Sequence, residues 1–193
     1  GERLLMVHLY SRWFSRFLLL AIGLSVWVVA APQAWPKDPR PEVGHPAPDF
    51  TLPTLAGKTV RLSEFQGKKA VFINFWATWC APCRLEMPTM EKAYQKYKAK
   101  GLEILAVSVD AGPKSAVKNF MEELGLTFPA LLDPDMKVFH LYRLFAIPAS
   151  FLIDKQGIIR FKELGYRDWT DKESTKMLEQ VLLVGVLAHH FEA

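Results

Sequence analysis

Apolar positions along the chain gather into a few runs, separated by polar stretches rich in proline and glycine. Residues 17–31 (FLLLAIGLSVWVVAA) carry no charge. Ala70 to Trp76 is apolar except at Asn74, the pattern of a strand buried on both faces of a parallel sheet. Leu102 to Val109 (LEILAVSV) repeats it and predicts a second parallel strand. The good helix formers between them predict a helix with a charged face, ended by Gly101. Lys114 to Leu124 reads as a helix stopping at Gly125, FPALLDP as a strand and turn, and Asp135 to Leu144 as a short helix. Lys155-Gln156-Gly157 forms a hairpin turn joining Phe151–Asp154 to Ile158–Leu164. A terminal helix opens at Asp171 or Ser174 and runs to about Val184, with an apolar face in MLEQVLLV. Upstream, GHPAPDF and TLPTLAGKTVRLSEFQGK read as a loop, a hairpin and a short turn, with Asp49 in a turn or cap role. Strands alternating with helices place the chain in the α/β class.

The 193 residues divide into one domain and a leader. We expect an N-terminal cytoplasmic tail (1–16), a transmembrane anchor or signal segment (17–34), a proline-rich linker (35–42) and a catalytic domain (43–193). Arg3, Arg12 and Arg16 precede the apolar run, which keeps the N-terminus inside and sends the rest out of the cytoplasm. Trp13 and Trp35 flank the run as interfacial anchors do, and Arg16 can snorkel. A cleaved signal peptide with a site at Val29-Ala30-Ala31 is the competing reading, although Pro32 directly after it is awkward. No cysteine directly follows the run, which excludes a lipid-modified cysteine anchor there. Pro32, Pro36, Pro39, Pro41, Pro46 and Pro48 suggest a semi-rigid stalk. The net charge of +4 is scattered, leaving no nucleic-acid footprint, and a monomer is expected.

The only two cysteines, Cys80 and Cys83, lie where the first buried strand gives way to a helix. Unpaired N–H groups and partial positive charge at a helix N-terminus stabilise a thiolate. Cysteine pKa values in such settings fall to roughly 3.5–7.5. Pro82 suits the first helical turn, where its missing N–H costs nothing. A disulfide closing so short a loop removes little unfolded-chain entropy, so exchange is its better use. Half of a zinc site is the rival, but no second cysteine pair or H-x3-5-H accompanies it. No metal site is expected: His45 and His140 stand alone, and His189-His190 are solvated tail residues.

FWATWCAPC resembles the thioredoxin active site, and FINFWATWCAPCRLEMP resembles the TlpA/ResA-like (CcmG-type) membrane-anchored thiol-disulfide oxidoreductases of that superfamily. The likeness runs from about Val43 to about Leu183. It implies a thioredoxin-like fold, a central mixed sheet flanked by helices, with an N-terminal β-hairpin extension and a strand–helix insertion. It implies Cys80 as nucleophile at an exposed helix start, Cys83 as a more buried resolver, and their disulfide as the redox centre without other cofactor.

Asn74 stands where thioredoxins resemble one another in carrying a buried aspartate, so another proton carrier is needed. Glu86, three after Cys83, matches the glutamate of C-x-x-C-x-x-E; in a partly apolar pocket its pKa should rise. The alternative for Glu86 is a solvated carboxylate favoured by the first helical turn. Pro88 should kink the helix.

FAIPASFLID resembles the family's cis-proline strand. A cis Ile147–Pro148 bond there leaves the Ile147 backbone free to pair with a substrate strand. Trp79, Pro82, Ile147 and Pro148 are the expected substrate contacts. Ala146, Ala149 and Ser150 depart from the usual residues, and the first two changes make the groove more apolar.

The resemblance implies a protein-disulfide reductase working outside the cytoplasm, with apocytochrome c or copper-centre assembly proteins as targets and a membrane reductant of the CcdA/DsbD type. Two rivals remain. APDF suggests a peroxiredoxin-like thiol peroxidase, but Ala77 stands three before Cys80 and no proline lies seven before it. A Sco-like copper chaperone wants C-x-x-x-C, one residue longer.

Overall fold

The computed structural model describes residues 39–184. The expected tail, the anchor or signal segment, the first half of the linker, and His189-His190 lie outside the described residues. Among those described, no helix is long and apolar enough to cross a membrane.

The central strand β3, Ala70–Trp76, is buried at every position, as its apolar run requires. Burial of each large side chain in it contributes roughly 1.5–3 kcal/mol. β4 (Leu102–Ser108) lies parallel to β3 in the same-numbered register, Ala70 against Leu102 and Trp76 against Ser108. β5 (Ala130–Leu132) pairs parallel with β4 at the outer edge. On the other side β6 (Ala149–Ile153) and β7 (Ile159–Leu164) run antiparallel, giving the order β5-β4-β3-β6-β7. The sheet is therefore mixed, as expected. The hairpin of β1 (Thr51–Pro53) and β2 (Thr59–Arg61) forms a separate ribbon. It is fastened to β5 through the Thr54–Leu131 bridge and the Leu55 N–H to Ala130 oxygen bond of 3.2 Å, shielding an otherwise open sheet edge.

Helix α1 (Ala81–Tyr97) leaves the end of β3 and runs continuously through Pro88. Its following 3-10 turn ends at Gly101, whose φ of 96° needs a residue without Cβ strain. α2 (Lys114–Glu123) bridges β4 to β5. α3 (Lys137–Leu141) is shorter than the expected 135–144, because Met136 and Arg143 adopt left-handed backbone at its two ends. α4 (Lys172–Leu183) begins one residue after Asp171, whose carboxylate caps the Ser174 N–H at 2.6 Å.

Strand alternation assigns the core to two faces. Phe75 packs against Phe139, Tyr142 and Phe151 at ring separations of 6.2, 5.3 and 6.2 Å. Phe72 and Asn74 face the other way, and Phe72 stacks on Trp169 at 4.3 Å. Asp49 plays the expected cap role, accepting from the Ser63 N–H at 3.0 Å and pairing with Arg61 at 2.7 Å.

The spacer was expected to reach Glu42, yet the chain is already held on the domain from Arg40. The Arg40 N–H bonds Pro46 oxygen at 2.8 Å, Pro41 is buried, and Lys162 reaches Pro41 oxygen at 3.1 Å and Glu42 at 3.2 Å.

Candidate active site

Cys80 is the N-cap of α1, with Pro82 in its first turn. The cysteines form a disulfide of 2.05 Å with Cα atoms 5.3 Å apart, and Cys80 Sγ accepts the Cys83 N–H at 3.3 Å. Thus the first cysteine does the work of a capping side chain for the helix that presents both sulfurs. It is less open than expected: Cys80 is 5% exposed and Cys83 0%. The order of accessibility survives, but Cys80 is a nearly covered residue rather than an exposed one. Trp79 beside it is 71% exposed, so the apolar side chain, not the sulfur, forms the surface.

The loop before Cys80 is fixed by Asp110. Its carboxylate accepts from Thr78 Oγ1 at 2.6 Å, the Thr78 N–H at 3.0 Å and Ser108 Oγ at 2.8 Å. An aspartate just past the end of β4 thereby sets the path of the chain leaving β3. Nothing in the isolated sequence distinguished Asp110 from an ordinary loop residue.

The Ile147–Pro148 peptide is cis, as expected. Because Phe75 pairs with Ala149, the antiparallel register sets Pro148 beside the end of β3, at the start of the Cys80 loop. Pro148 is buried and its oxygen accepts from Gly165 N–H at 2.8 Å. No described hydrogen bond uses the backbone of Ile147. Phe145, two residues earlier, is 85% exposed.

Glu86 is fully buried, not the solvated carboxylate of the alternative reading. Asn74 Nδ2 donates to its Oε2 at 3.2 Å and Trp169 Nε1 to its Oε1 at 2.8 Å. Burial pushes the carboxyl up to about 7; the donors Trp169, Asn74 and the Arg167 backbone only partly oppose this. Asn74 also donates to Ser150 Oγ at 2.9 Å, its partner across the β3–β6 pair, while its own Oδ1 has no partner among the described residues. The departure at Ser150 is thus part of the buried polar site.

Trp169 was missed. It stands in the loop before α4, and its only sequence signal is a bulky aromatic amid polar residues. Among the described residues no group of three or more His, Cys, Asp or Glu side chains converges as metal ligands do.

With this geometry established, likeness to known proteins is informative. A family model described as the AhpC/TSA family matches residues 43–162. The thiol-disulfide oxidoreductase ResA of Geobacillus kaustophilus is 44% identical over 143 residues, covering 74% of this chain and 79% of that protein. The chain belongs to the AhpC/TSA family, on its ResA-like branch of thiol-disulfide oxidoreductases. The ResA of Bacillus cereus is 41% identical over 144 residues, 75% of this chain and 82% of that one. A crystal structure of a putative thiol:disulfide interchange protein DsbE from Chlorobium tepidum superposes with a TM-score of 0.67 at 34% identity, covering 73% of this chain and 98% of that one. The thioredoxin-like fold and the enzyme class expected from FINFWATWCAPCRLEMP both hold.

Proposed function

We propose that this thiol-disulfide oxidoreductase is a reductant of protein disulfides acting outside the cytoplasm, held to the membrane by its N-terminal segment. The observation that carries the proposal is the Cys80–Cys83 pair at a helix N-terminus, with a buried carboxyl one turn further on.

The Cys80 thiolate attacks one sulfur of a substrate disulfide; that S–S bond breaks, and its electron pair leaves on the other sulfur. The ionised Glu86 carboxylate takes the proton of Cys83, with which it shares a helical face at i, i+3. The Cys83 thiolate then attacks Cys80 Sγ, forming the disulfide of this structure and expelling the second substrate sulfur, which takes its proton from water. Two electrons have passed from dithiol to substrate, and the chain's own disulfide is the sole redox group required. Trp79, Pro82 and the free backbone of Ile147 beside Pro148 offer the contact surface, on which an extended substrate segment can pair as an added strand.

Targets of this chemistry are cysteine pairs that must be reduced before a haem or copper centre is built, as in apocytochrome c or copper-centre assembly proteins. A membrane dithiol carrier of the CcdA/DsbD kind restores the reduced state. The peroxidase reading gains nothing from the family match, since Ala77 occupies the position where that loop needs a hydroxyl. Equilibration with glutathione redox buffers tests the direction. A reducing value on the thioredoxin side, about −270 mV, is expected, and one near about −120 mV, in the strong-oxidant range, contradicts it.

A further inference from the structure

Both oxygens of the Glu86 carboxyl are occupied, from opposite sides. Asn74 reaches Oε2 from β3, and Trp169 reaches Oε1 from the loop between β7 and α4. Trp169 is held there by two further attachments. Its ring lies on Phe72 at 4.3 Å, and its backbone N–H donates to Thr89 Oγ1 at 3.0 Å. Thr89 Oγ1 in turn donates to the backbone carbonyl oxygen of Glu86 at 2.7 Å, so side chain and backbone of Trp169 are tied to the same turn of α1. The loop itself is pinned to α4, with Ser174 Oγ donating to Asp168 oxygen at 2.8 Å and Arg167 Nε to Ser174 Oγ at 2.9 Å.

We propose that Trp169 is a positioning residue for disulfide exchange: its indole N–H fixes the Glu86 carboxyl in the buried site one helical turn beyond Cys83. The proposal rests on the proton-carrier role of Glu86 given above. A glutamate side chain has three rotatable bonds, and a buried one held at a single oxygen can still turn. A donor on each oxygen removes that freedom. An indole N–H donates and never accepts, so it can neither take the proton in transit nor compete for it. It also favours the ionised carboxylate, which is the form that receives a proton from Cys83, against the opposing effect of burial.

Among the described residues no charged group does this work. The group reaching Glu86 from β3 is the neutral Asn74, which also donates to the neutral Ser150 on β6. From the loop before α4, Arg167 offers its backbone, while its guanidinium pairs with Glu163 at 3.2 Å and Glu173 at 2.8 Å. On α1 itself, Cys83 is in the disulfide and Arg84 turns to Glu123 and the Phe120 ring.

The test compares Trp169→Phe, which keeps an aromatic ring on Phe72 and deletes the donor, with Glu86→Gln. Glutamate labelled at its carboxyl carbon reports the Glu86 titration by NMR in the oxidised protein, assigned by its loss in E86Q. Losing a hydrogen bond to a charged group should move the midpoint upward by about one pH unit or more. If W169F does not fold, the benzothiophene analogue of tryptophan at position 169 gives the same reading with the ring shape intact. A folded variant with an unmoved midpoint overturns the proposal. The pH profile of glutathione release, after mixing reduced protein with oxidised glutathione, supplies the functional arm. Its acid limb should move upward by a similar amount in W169F and vanish in E86Q. A limb that vanishes in E86Q but stays put in W169F removes the role of Trp169 alone. A limb unchanged in E86Q removes the proton-carrier reading beneath it.

Discussion

The indole Nε1–H of Trp169 donates to Oε1 of Glu86 over 2.8 Å, joining residues 83 positions apart in the chain. That bond closes a buried polar site between β3, α1 and the loop before α4. Burial makes Glu86 a carboxyl through which pH reaches stability.

The carboxyl of Glu86 is raised from 4.5 to about 7 by burial, so the folded protein holds a proton there that the unfolded chain has released. Between these values the native state binds more protons, and stability falls as pH rises. The favourable contribution is fully present below about 4.5 and is lost on passing through about 7. Denaturant unfolding of the oxidised protein should therefore show E86Q gaining on wild type across this window. The gain should reach up to about 3 kcal/mol at pH 8, with a flatter curve. Parallel curves for the two proteins contradict the buried, neutral carboxyl.

Asp110 should matter to rate more than its distance in sequence suggests. Replacing it by Ala strands the Thr78 N–H and two hydroxyls, costing about 1–3 kcal/mol. The loop entering Cys80 loosens as well, so stopped-flow reaction with oxidised glutathione should slow along with a lower Tm. Loss of stability at an unchanged rate would show that the loop needs no such brace.

Trp79 is 71% exposed and Phe145 85%, so truncating either to Ala should change stability by less than about 0.5 kcal/mol. Their value is in contact with a protein substrate. Reduction of a protein disulfide should suffer roughly tenfold in kcat/KM, while reaction with oxidised glutathione stays unchanged. Equal losses with both substrates would place these side chains in the chemistry instead.

Asp154 offers a stability test away from the sulfurs. Its buried carboxylate accepts from the N–H groups of Gln156 and Ile158 at 2.9 and 3.0 Å and pairs with Arg160. Asp154→Ala should lower stability by about 2–4 kcal/mol without altering the pH profile of thiol exchange. Chemical denaturation and the exchange assay together check both halves.

Much of this was readable from residues alone, because the decisive signals are local. The apolar run of Ala70–Trp76 marks the central strand to the residue, and Asn74, its one polar position, announces a polar site in a place that must be buried. The C-x-x-C-x-x-E spacing puts both sulfurs and the carboxyl on one helical face. What the chain order hides is which distant residue completes the site. Trp169, Ser150 and Asp110 meet their partners only through sheet register and loop closure, across 83, 76 and 32 positions. The burial of Cys80 escaped for a related reason: a helix N-terminus is usually open, and only tertiary packing covers this one. The helix expected over residues 135–144 was trimmed by left-handed backbone at Met136 and Arg143, residues whose side chains give no local warning.

Disulfide exchange by this mechanism needs a division of labour between the two sulfurs, and trapping partners on single-cysteine variants in cell extracts tests it most directly. Cys83→Ser should accumulate a mixed disulfide through Cys80, because the resolving thiolate is gone. Cys80→Ser should accumulate little. Equal trapping by both variants, or trapping by Cys80→Ser alone, would contradict the assignment of nucleophile and resolver.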